Sequence, residues 1–104
     1  MTGYLLFDEA GHRLDEIIDY TREECGEDQA IRYFDGFLAC FDAIAERRVR
    51  WRTIPASFGA EGYFCRYQRH FVYWRILPDG TVGIVTILHE RMQQMDLLRE
   101  AFES

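Results

Sequence analysis

A histidine, an acid and an arginine stand together behind an apolar run: His89, Glu90 and Arg91 follow residues 82–88. A histidine beside a carboxylate can exchange protons and an arginine can hold a phosphate, as RNA cleavage requires. Adjacent residues of a strand point to opposite faces, so His89 and Glu90 converge only where the backbone turns. The favoured interpretation is structural: His89 ends a packed strand, Glu90 begins a helix at its positive end, and Arg91 contacts a carbonyl or a partner carboxylate.

A second cluster lies in the segment "ERRVRWR", where Arg47, Arg48, Arg50 and Arg52 surround Trp51. Such a cluster could hold nucleic acid by charge and by stacking on the indole ring. The favoured alternative is a helix C-terminus, where cations suit the helix dipole and Trp51 packs the helix down.

The charge is unevenly distributed along the 104 residues. The net charge is −6, and all twelve basic residues are arginine. Residues 1–46 carry twelve acids and three arginines (−9), residues 47–91 carry eight arginines and three acids (+5), and residues 92–104 add −2. The acidic balance disfavours non-specific DNA binding by the whole molecule.

The thiols and imidazoles lack the spacing of a metal site or a disulfide framework. They are scattered singly along the chain: His12, Cys25, Cys40, Cys65, His70 and His89. We therefore expect buried, reduced thiols, no metal and no cofactor. No apolar stretch approaches the roughly 20 residues that cross a bilayer, and residues 1–3 do not begin a signal-peptide pattern. These features predict a cytoplasmic protein without membrane attachment.

Hydrophobic periodicity and turn residues predict the order of elements. The predicted elements are a strand at 4–7, a helix at 9–25 capped by Asp8, a second long helix capped by Asp28, a loop at 52–62, strands at 63–68, 71–77 and 82–88, and a helix at 90–102. The fold class is α+β in a single domain, 1–104. A short N-terminal strand and an antiparallel helical hairpin precede a three-stranded antiparallel sheet and a C-terminal helix.

The two central strands are apolar on both faces, unlike strands with one side in water. Simple alternation puts Phe71, Tyr73, Arg75 and Leu77 on one face and Val72, Trp74 and Ile76 on the other; it likewise groups Val82, Ile84, Thr86 and Leu88. The hairpin can cover one face. We expect a partner chain to cover the other, because large apolar patches are rare on monomers. The alternative is that the short C-terminal helix folds back over it.

Three segments carry a family resemblance: "YFCRYQRHFVYWRI", the "PDG" turn and "ILHERM". Together with the order of elements, they resemble the RelE/ParE superfamily of type II toxins, on the ParE branch, over nearly the whole chain. The resemblance implies a toxin neutralised by a ParD-like antitoxin with a ribbon-helix-helix DNA-binding region. Operator DNA would then be bound only through the antitoxin. It also implies DNA gyrase as the target, held in its cleaved-DNA state.

The RelE side of the superfamily implies a different activity, ribosome-dependent cleavage of mRNA. In that alternative, the residues near the scissile phosphate are His89, Arg91 and Arg66. The chain departs from the ribosomal members because it has no lysine and because its last helix has no histidine or tyrosine. It is also acidic where family toxins are commonly basic. The missing lysine, histidine and tyrosine weaken the nuclease alternative, and the favoured hypothesis is a binding poison with no catalytic centre of its own.

The composition of the sheet suggests which residues meet each partner, because arginine, tyrosine and tryptophan dominate interface hot spots. The predicted antitoxin contacts are Arg66, Tyr67, Arg69, Tyr73, Trp74, Arg75, Arg47, Arg48, Arg50 and Trp51. The predicted target contacts are His89, Arg91, Met92 and Met95. The arginines would suit an acidic antitoxin tail.

Overall fold

The computed structural model describes residues 3–103. Its elements are β1 (Tyr4–Leu6), α1 (Asp8–Cys25), α2 (Glu27–Ala45), β2 (Arg52–Thr53), a 3₁₀ turn (Ala56–Phe58), β3 (Tyr63–Tyr67), β4 (His70–Ile76), β5 (Val82–His89) and α3 (Gln94–Glu103). None of the helices within residues 3–103 is long and apolar enough to cross a bilayer.

The sheet has five strands in the order β1-β5-β4-β3-β2. Strands β2 to β5 pair antiparallel, whereas β1 pairs in parallel with β5 through Tyr4 opposite Val82 and Leu6 opposite Ile84. The predicted α+β class is confirmed, but the strand count is corrected. The N-terminal strand joins the sheet, and the two-residue β2, predicted as loop, extends the opposite edge.

The helical hairpin forms as predicted, around a glycine that no other residue replaces easily. Gly26 has φ +92°, where a side chain is strained, and it joins α1 to α2 without further linker. The predicted caps are wrong. Phe7 precedes α1 and Gly26 precedes α2, neither with a side-chain cap, while Asp8 and Asp28 lie inside the first turns. There their charges still suit the helix dipole.

The main core fills the space between the hairpin and the sheet. It joins both helices to the two central strands through Ala10, Leu14, Ile18, Ala30, Phe37, Phe41, Ile44, Val72, Trp74, Val82, Ile84 and Ile87. The helical members recur at spacings of three and four, so each helix places one stripe on the sheet.

A β-bulge disturbs the simple alternation of β5. Tyr73 pairs with Thr86 but Trp74 pairs with Ile84, so the register shifts by one residue. Ile84 and Ile87 consequently belong to the same core, while Leu88 belongs to the opposite one. The prediction that Ile84 and Leu88 share a face was wrong because one inserted residue reverses the sides that follow it.

The second sheet face is covered at its centre by the chain itself. Leu98 of α3 and Ile54 bury against Tyr73 and Leu88, with Phe58, Ala60, Phe64, Phe71, Leu97 and Phe102 around them. The expectation that only a partner could cover this face is therefore corrected. The alternative, a C-terminal helix folded back, is what the structure shows, with the 54–60 segment adding further cover.

Helix α3 begins four residues later than predicted, and Gln94 explains where. Its Nε2 donates to the carbonyls of His89 (2.7 Å) and Met92 (3.1 Å), and its Oε1 accepts the Tyr73 hydroxyl at 2.7 Å. Residues 90–93 form a turn, so Glu90 does not begin the helix. One amide thus closes the turn and attaches the helix to β4.

We expect Leu98→Ala to lower the free energy of unfolding by about 2–5 kcal/mol, because it removes the fully buried side chain that joins α3 to the sheet. Met95→Ala on the same helix removes an exposed side chain and should change stability by less than about 0.5 kcal/mol. Urea denaturation of both variants tests this. Equal, small losses would mean that α3 is not docked as described.

Candidate functional site

A cleft of about 570 Å³ opens where β4 begins and β5 ends. The strand register places His70 directly opposite His89, with ring centroids 5.1 Å apart and ring planes perpendicular. The two helices form the remaining wall. The lining residues are Arg13, Glu16, Ile17, Tyr20, Thr21, Tyr33, Arg69, His70, Ile87, His89, Arg91 and Met92.

Each histidine is held by one hydrogen bond at Nδ1. The Tyr33 hydroxyl lies 3.0 Å from Nδ1 of His70, and the backbone N–H of Arg91 donates to Nδ1 of His89 at 3.1 Å. Nδ1 of His89 is therefore an acceptor, which leaves Nε2 to carry the ring proton. The ring orientations are thus fixed by contacts within the chain.

Burial sets the charge state of the Tyr33–His70 pair. Burial and the neighbouring His89 lower the pKa of His70 to about 4, although the Glu90 carboxylate opposes the shift. Burial also raises the pKa of Tyr33 to about 12. Near neutral pH the Tyr33–His70 pair is therefore uncharged, and the arginines of the cleft carry positive charge.

The three residues of the "HER" triplet point to different surroundings. His89 and Arg91 line the cleft, whereas Glu90 binds Arg66 at 2.7 Å and Arg69 at 3.3 Å. Partial burial disfavours the Glu90 carboxylate, but the two guanidinium groups outweigh it and lower its pKa. Glu90 therefore joins the β3–β4 turn to the end of β5 and does not form an acid–base pair with His89.

The arginines around the cleft differ in how far they are neutralised. Arg13 is paired with Glu9 at 2.7 Å, and Glu9 also accepts the Thr86 hydroxyl at 3.1 Å. Arg91 is exposed and makes no side-chain ion pair within residues 3–103. Arg66, the third residue of the catalytic alternative, does not line the cleft. No three His, Cys, Asp or Glu side chains within that range are placed to share a metal ion.

The sequence predicted His89 and Arg91 as site residues but missed Tyr33, His70 and Arg13. Counting the ladder back from Ile76 opposite Val82 would pair His70 with Leu88. The bulge shifts that pairing to His89. Without the bulge, the two imidazoles would not lie opposite each other. No motif in the sequence predicts the bulge, so the histidine pair could not be predicted.

Two of the predicted antitoxin contacts are buried in the folded chain. Trp74 is 0% exposed and Tyr73 is 3% exposed. Trp74 packs between Trp51 and Tyr63, with centroids at 5.6 and 6.4 Å, and Tyr73 donates to Gln94. Their assignment to an exposed docking surface is corrected, because both belong to the chain's own cores. Replacing Trp74 would test folding and not docking.

The other aromatic and arginine side chains of the sheet remain accessible in part. Arg66 and Arg69 are exposed beside Glu90, and Arg75 is half-buried with its guanidinium 5.3 Å from the Phe7 ring centroid. Tyr67 is half-buried against α2, with its ring centroid 4.7 Å from that of Phe37.

The "ERRVRWR" segment directly follows α2, which ends at Ala45, and it leads into β2 at Arg52. The predicted packing of Trp51 against the helix is found, but the last turn of α2 itself contains no basic residue. The Trp51 indole N–H donates to the Ile44 carbonyl at 3.1 Å, and the Arg47 guanidinium lies 3.8 Å above the indole ring. Arg48 pairs with Glu46 at 2.8 Å, whereas Arg50 is exposed. Trp51 thus binds a terminal helix carbonyl while the arginines face outward.

An apolar groove of about 380 Å³ runs along the outside of the hairpin. Its lining is Asp15, Ile18, Asp19, Arg22, Ala30, Ile31 and Phe34. Ile31 is 50% exposed, Phe34 is 38% exposed, and Tyr20 of α1 is 66% exposed. Large apolar side chains left in water on one helix face are typical of a surface that receives an amphipathic partner helix. Met92 and Met95, two of the predicted target contacts, are likewise accessible.

Residues 4–94 match the family described as "ParE toxin of type II toxin-antitoxin system, parDE". The chain is 32% identical to the toxin ParE of Escherichia coli over 100 residues, covering 96% of each protein. It is 29% identical to the toxin ParE1 of Mycobacterium tuberculosis over 99 residues, covering 86% of this chain and 90% of that one. The chain belongs to the ParE toxin family of type II toxin–antitoxin systems.

The fold is also found in a solved structure described as the chromosomal ParDE TA system from P. aeruginosa. The two chains superpose with a TM-score of 0.66 at 15% identity, covering 86% of this chain and 96% of the other. Identity at that level shows a shared fold. The predicted membership of the RelE/ParE superfamily, on its ParE branch, is confirmed.

We expect the free energy of unfolding to decrease as the pH falls from 6.5 towards 4. In that range the unfolded chain protonates His70, whose pKa is about 4 in the folded chain, so protons favour the unfolded state. His70→Gln should remove this part of the pH dependence. Replacing the exposed His12 by Gln should leave it, when both are followed by urea denaturation across the range. A wild-type slope retained in His70→Gln would contradict the assignment.

Proposed function

We propose that this toxin poisons DNA gyrase in the cytoplasm by protein–protein binding and is neutralised by a ParD-like, ribbon-helix-helix antitoxin. Membership of the ParE family is the observation that carries the proposal. The surfaces described above are of the kind that binds proteins. They combine exposed Ile31 and Phe34 on the hairpin with accessible Met92 and Met95 near the C-terminus.

The contacts of Glu90 support a binding poison over a nuclease. An RNA-cleaving site needs a base near the 2′-hydroxyl and cations at the phosphate. Glu90 is held between Arg66 and Arg69, so it is not available to assist His89, and Arg66 is held away from the cleft. Of the three residues in the catalytic alternative, His89 and Arg91 therefore line the cleft, whereas Arg66 lies outside it and binds Glu90.

A second candidate function, cleavage of ribosome-bound mRNA, is favoured by one observation. The cleft brings two imidazoles, a tyrosine and the arginines Arg69 and Arg91 together. His70 is uncharged near neutral pH, and Arg91, which has no ion-pair partner among residues 3–103, could bind a phosphate. In this candidate the working set is His70, His89 and Arg91, without Arg66.

The antitoxin is proposed to lay an amphipathic segment in the hairpin groove. Its apolar side would cover Ile31 and Phe34, and basic residues on it would meet Asp15 and Asp19 at the rim. An acidic continuation of the same segment would reach the arginines that follow α2 and those on β3, on β4 and in the turn between these strands. Arg47, Arg50, Arg66, Arg69 and Arg75 remain candidates for that contact, with Arg48, Tyr67 and Trp51 beside them.

We expect the purified chain to stop DNA supercoiling by gyrase and to accumulate cleaved DNA, while leaving ribosome-bound mRNA intact. His89, Arg91, Met92 and Met95 are the proposed target contacts. His89→Ala, in a folded protein, should keep most of the toxicity because the proposal assigns that residue no proton transfer. Supercoiling assays and message-cleavage assays on wild type and variant measure both.

Three outcomes would contradict this proposal. Message cleavage with unaffected supercoiling would establish the second candidate. Complete detoxification by His89→Ala, with an unchanged melting temperature and unchanged binding to gyrase, would point to chemistry in the cleft. If neither substrate responds to the wild-type chain, gyrase and message are both excluded as targets.

We expect Phe34→Ala to weaken antitoxin binding by about 1–4 kcal/mol, because it removes an exposed apolar side chain from the groove. Asp35→Ala is the matched control, since Asp35 is exposed on the same helix but does not line the groove. Titration calorimetry with the antitoxin gives both affinities. Unchanged affinity for Phe34→Ala would place the docking surface elsewhere.

A further inference from the structure

We propose that Cys40 and Cys65 are an oxidant-sensitive pair that closes to a disulfide and ties α2 to β3. Both thiols are half-buried and reduced in the structure, and both line one cavity of about 610 Å³ between the helix and the strand. Cys25, by contrast, is exposed at the far end of α1. The inference is independent of the target of the toxin.

The packing of α2 on β3 supports this placement through a neighbouring contact. Gly36 lies against the Tyr67 hydroxyl so closely that a Cβ at position 36 would overlap it. Cys40 follows Gly36 by four residues, about 6 Å along the same helix face. Cys65 precedes Tyr67 by two residues, about 6.6 Å along the same strand face. Cys40 and Cys65 are thus neighbours of this contact on α2 and on β3, and both line the same cavity.

The two thiols line the same cavity and are near enough to affect each other's pKa. The hydrogen bond from Cys65 lowers the pKa of the Cys40 thiol. The same bond, together with burial, raises the pKa of Cys65, although the charge of Arg52 opposes that shift. Arg50, Arg52 and Arg66 line the cavity, and positive charge favours a thiolate. Cys40 is therefore the sulfur that reacts first.

The oxidant is a small disulfide such as oxidised glutathione. The Cys40 thiolate attacks one of its sulfurs, the S–S bond breaks, and one glutathione thiolate leaves, giving a mixed disulfide on Cys40. The Cys65 thiol then loses its proton and attacks the Cys40 sulfur, releasing the second glutathione. The two cysteines have been oxidised by two electrons, and the small disulfide has been reduced to two thiols.

The bond would restrain the segment between residues 40 and 65, which includes the end of α2, Trp51 and β2. Crosslinking a loop of this length lowers the entropy of the unfolded chain and so raises the melting temperature. It would also fix the hairpin to the edge of the sheet beside Arg50, Arg52 and Arg66. The state of the thiols would then affect any partner that needs these elements to move apart.

The test uses the full chain with Cys25→Ser, which removes the exposed thiol. After treatment with oxidised glutathione, the expected product is a monomer lighter by two hydrogen atoms, without a glutathione adduct, in which peptide mapping joins Cys40 to Cys65. Its melting temperature should rise by about 10 °C and return after reduction with dithiothreitol.

The matched control adds Cys40→Ser, or in a separate chain Cys65→Ser, to the same background. Neither should gain thermal stability on oxidation, and Cys65→Ser should retain one glutathione on Cys40. The proposal is overturned if the Cys25→Ser chain keeps both thiols, carries two separate adducts, or forms only an intermolecular dimer. These results do not depend on toxicity, so they stand apart from the gyrase assays.

Discussion

Strands β4 and β5 are apolar on both sides, and their burial governs the arrangement of the other elements. Val72, Trp74 and Ile87 need cover from one side, while Tyr73 and Leu88 need it from the other. The helical hairpin supplies the first cover, and α3 with the 54–60 segment supplies the second. Each buried large side chain contributes on the order of 1.5–3 kcal/mol, so both covers stabilise the sheet, and the hairpin contributes the larger share.

Because both faces of the central strands are covered by the chain itself, the middle of the sheet is not available to partners. What remains accessible is the outside of the hairpin, the edge with its arginines, and the end of β5. At that end the ladder stops, and the backbone turns through residues 90–93 before α3. The turn lets His89 and Glu90 reach different neighbours, one in the cleft and the other at the β3–β4 turn. A toxin built this way can keep separate contacts for separate partners.

Much of the fold could be predicted because its signals are local. The spacing of Phe37, Phe41 and Ile44 predicts α2, and Gly26 predicts the hairpin, since both depend only on neighbours along the chain. The bulge in β5 could not be predicted, because it depends on how two strands fit the cores on both sides. The pairing of His70 with His89 follows from that bulge, as does the side to which Leu88 points. The start of α3 could not be predicted either, because it depends on a hydrogen bond between Gln94 and Tyr73, which are far apart in the sequence.

Helix α3 is attached to the rest of the fold by few side chains. Within residues 94–103 only Leu98 is fully buried, and the Gln94 amide provides the polar attachment. The hairpin, in contrast, shares an extensive core with the sheet. Such an arrangement allows the C-terminal segment to open while the larger core stays closed, as a subglobal unit of lower stability. Opening of α3 would expose part of the second core around Tyr73 and Leu88, while the core between the hairpin and the sheet stays closed.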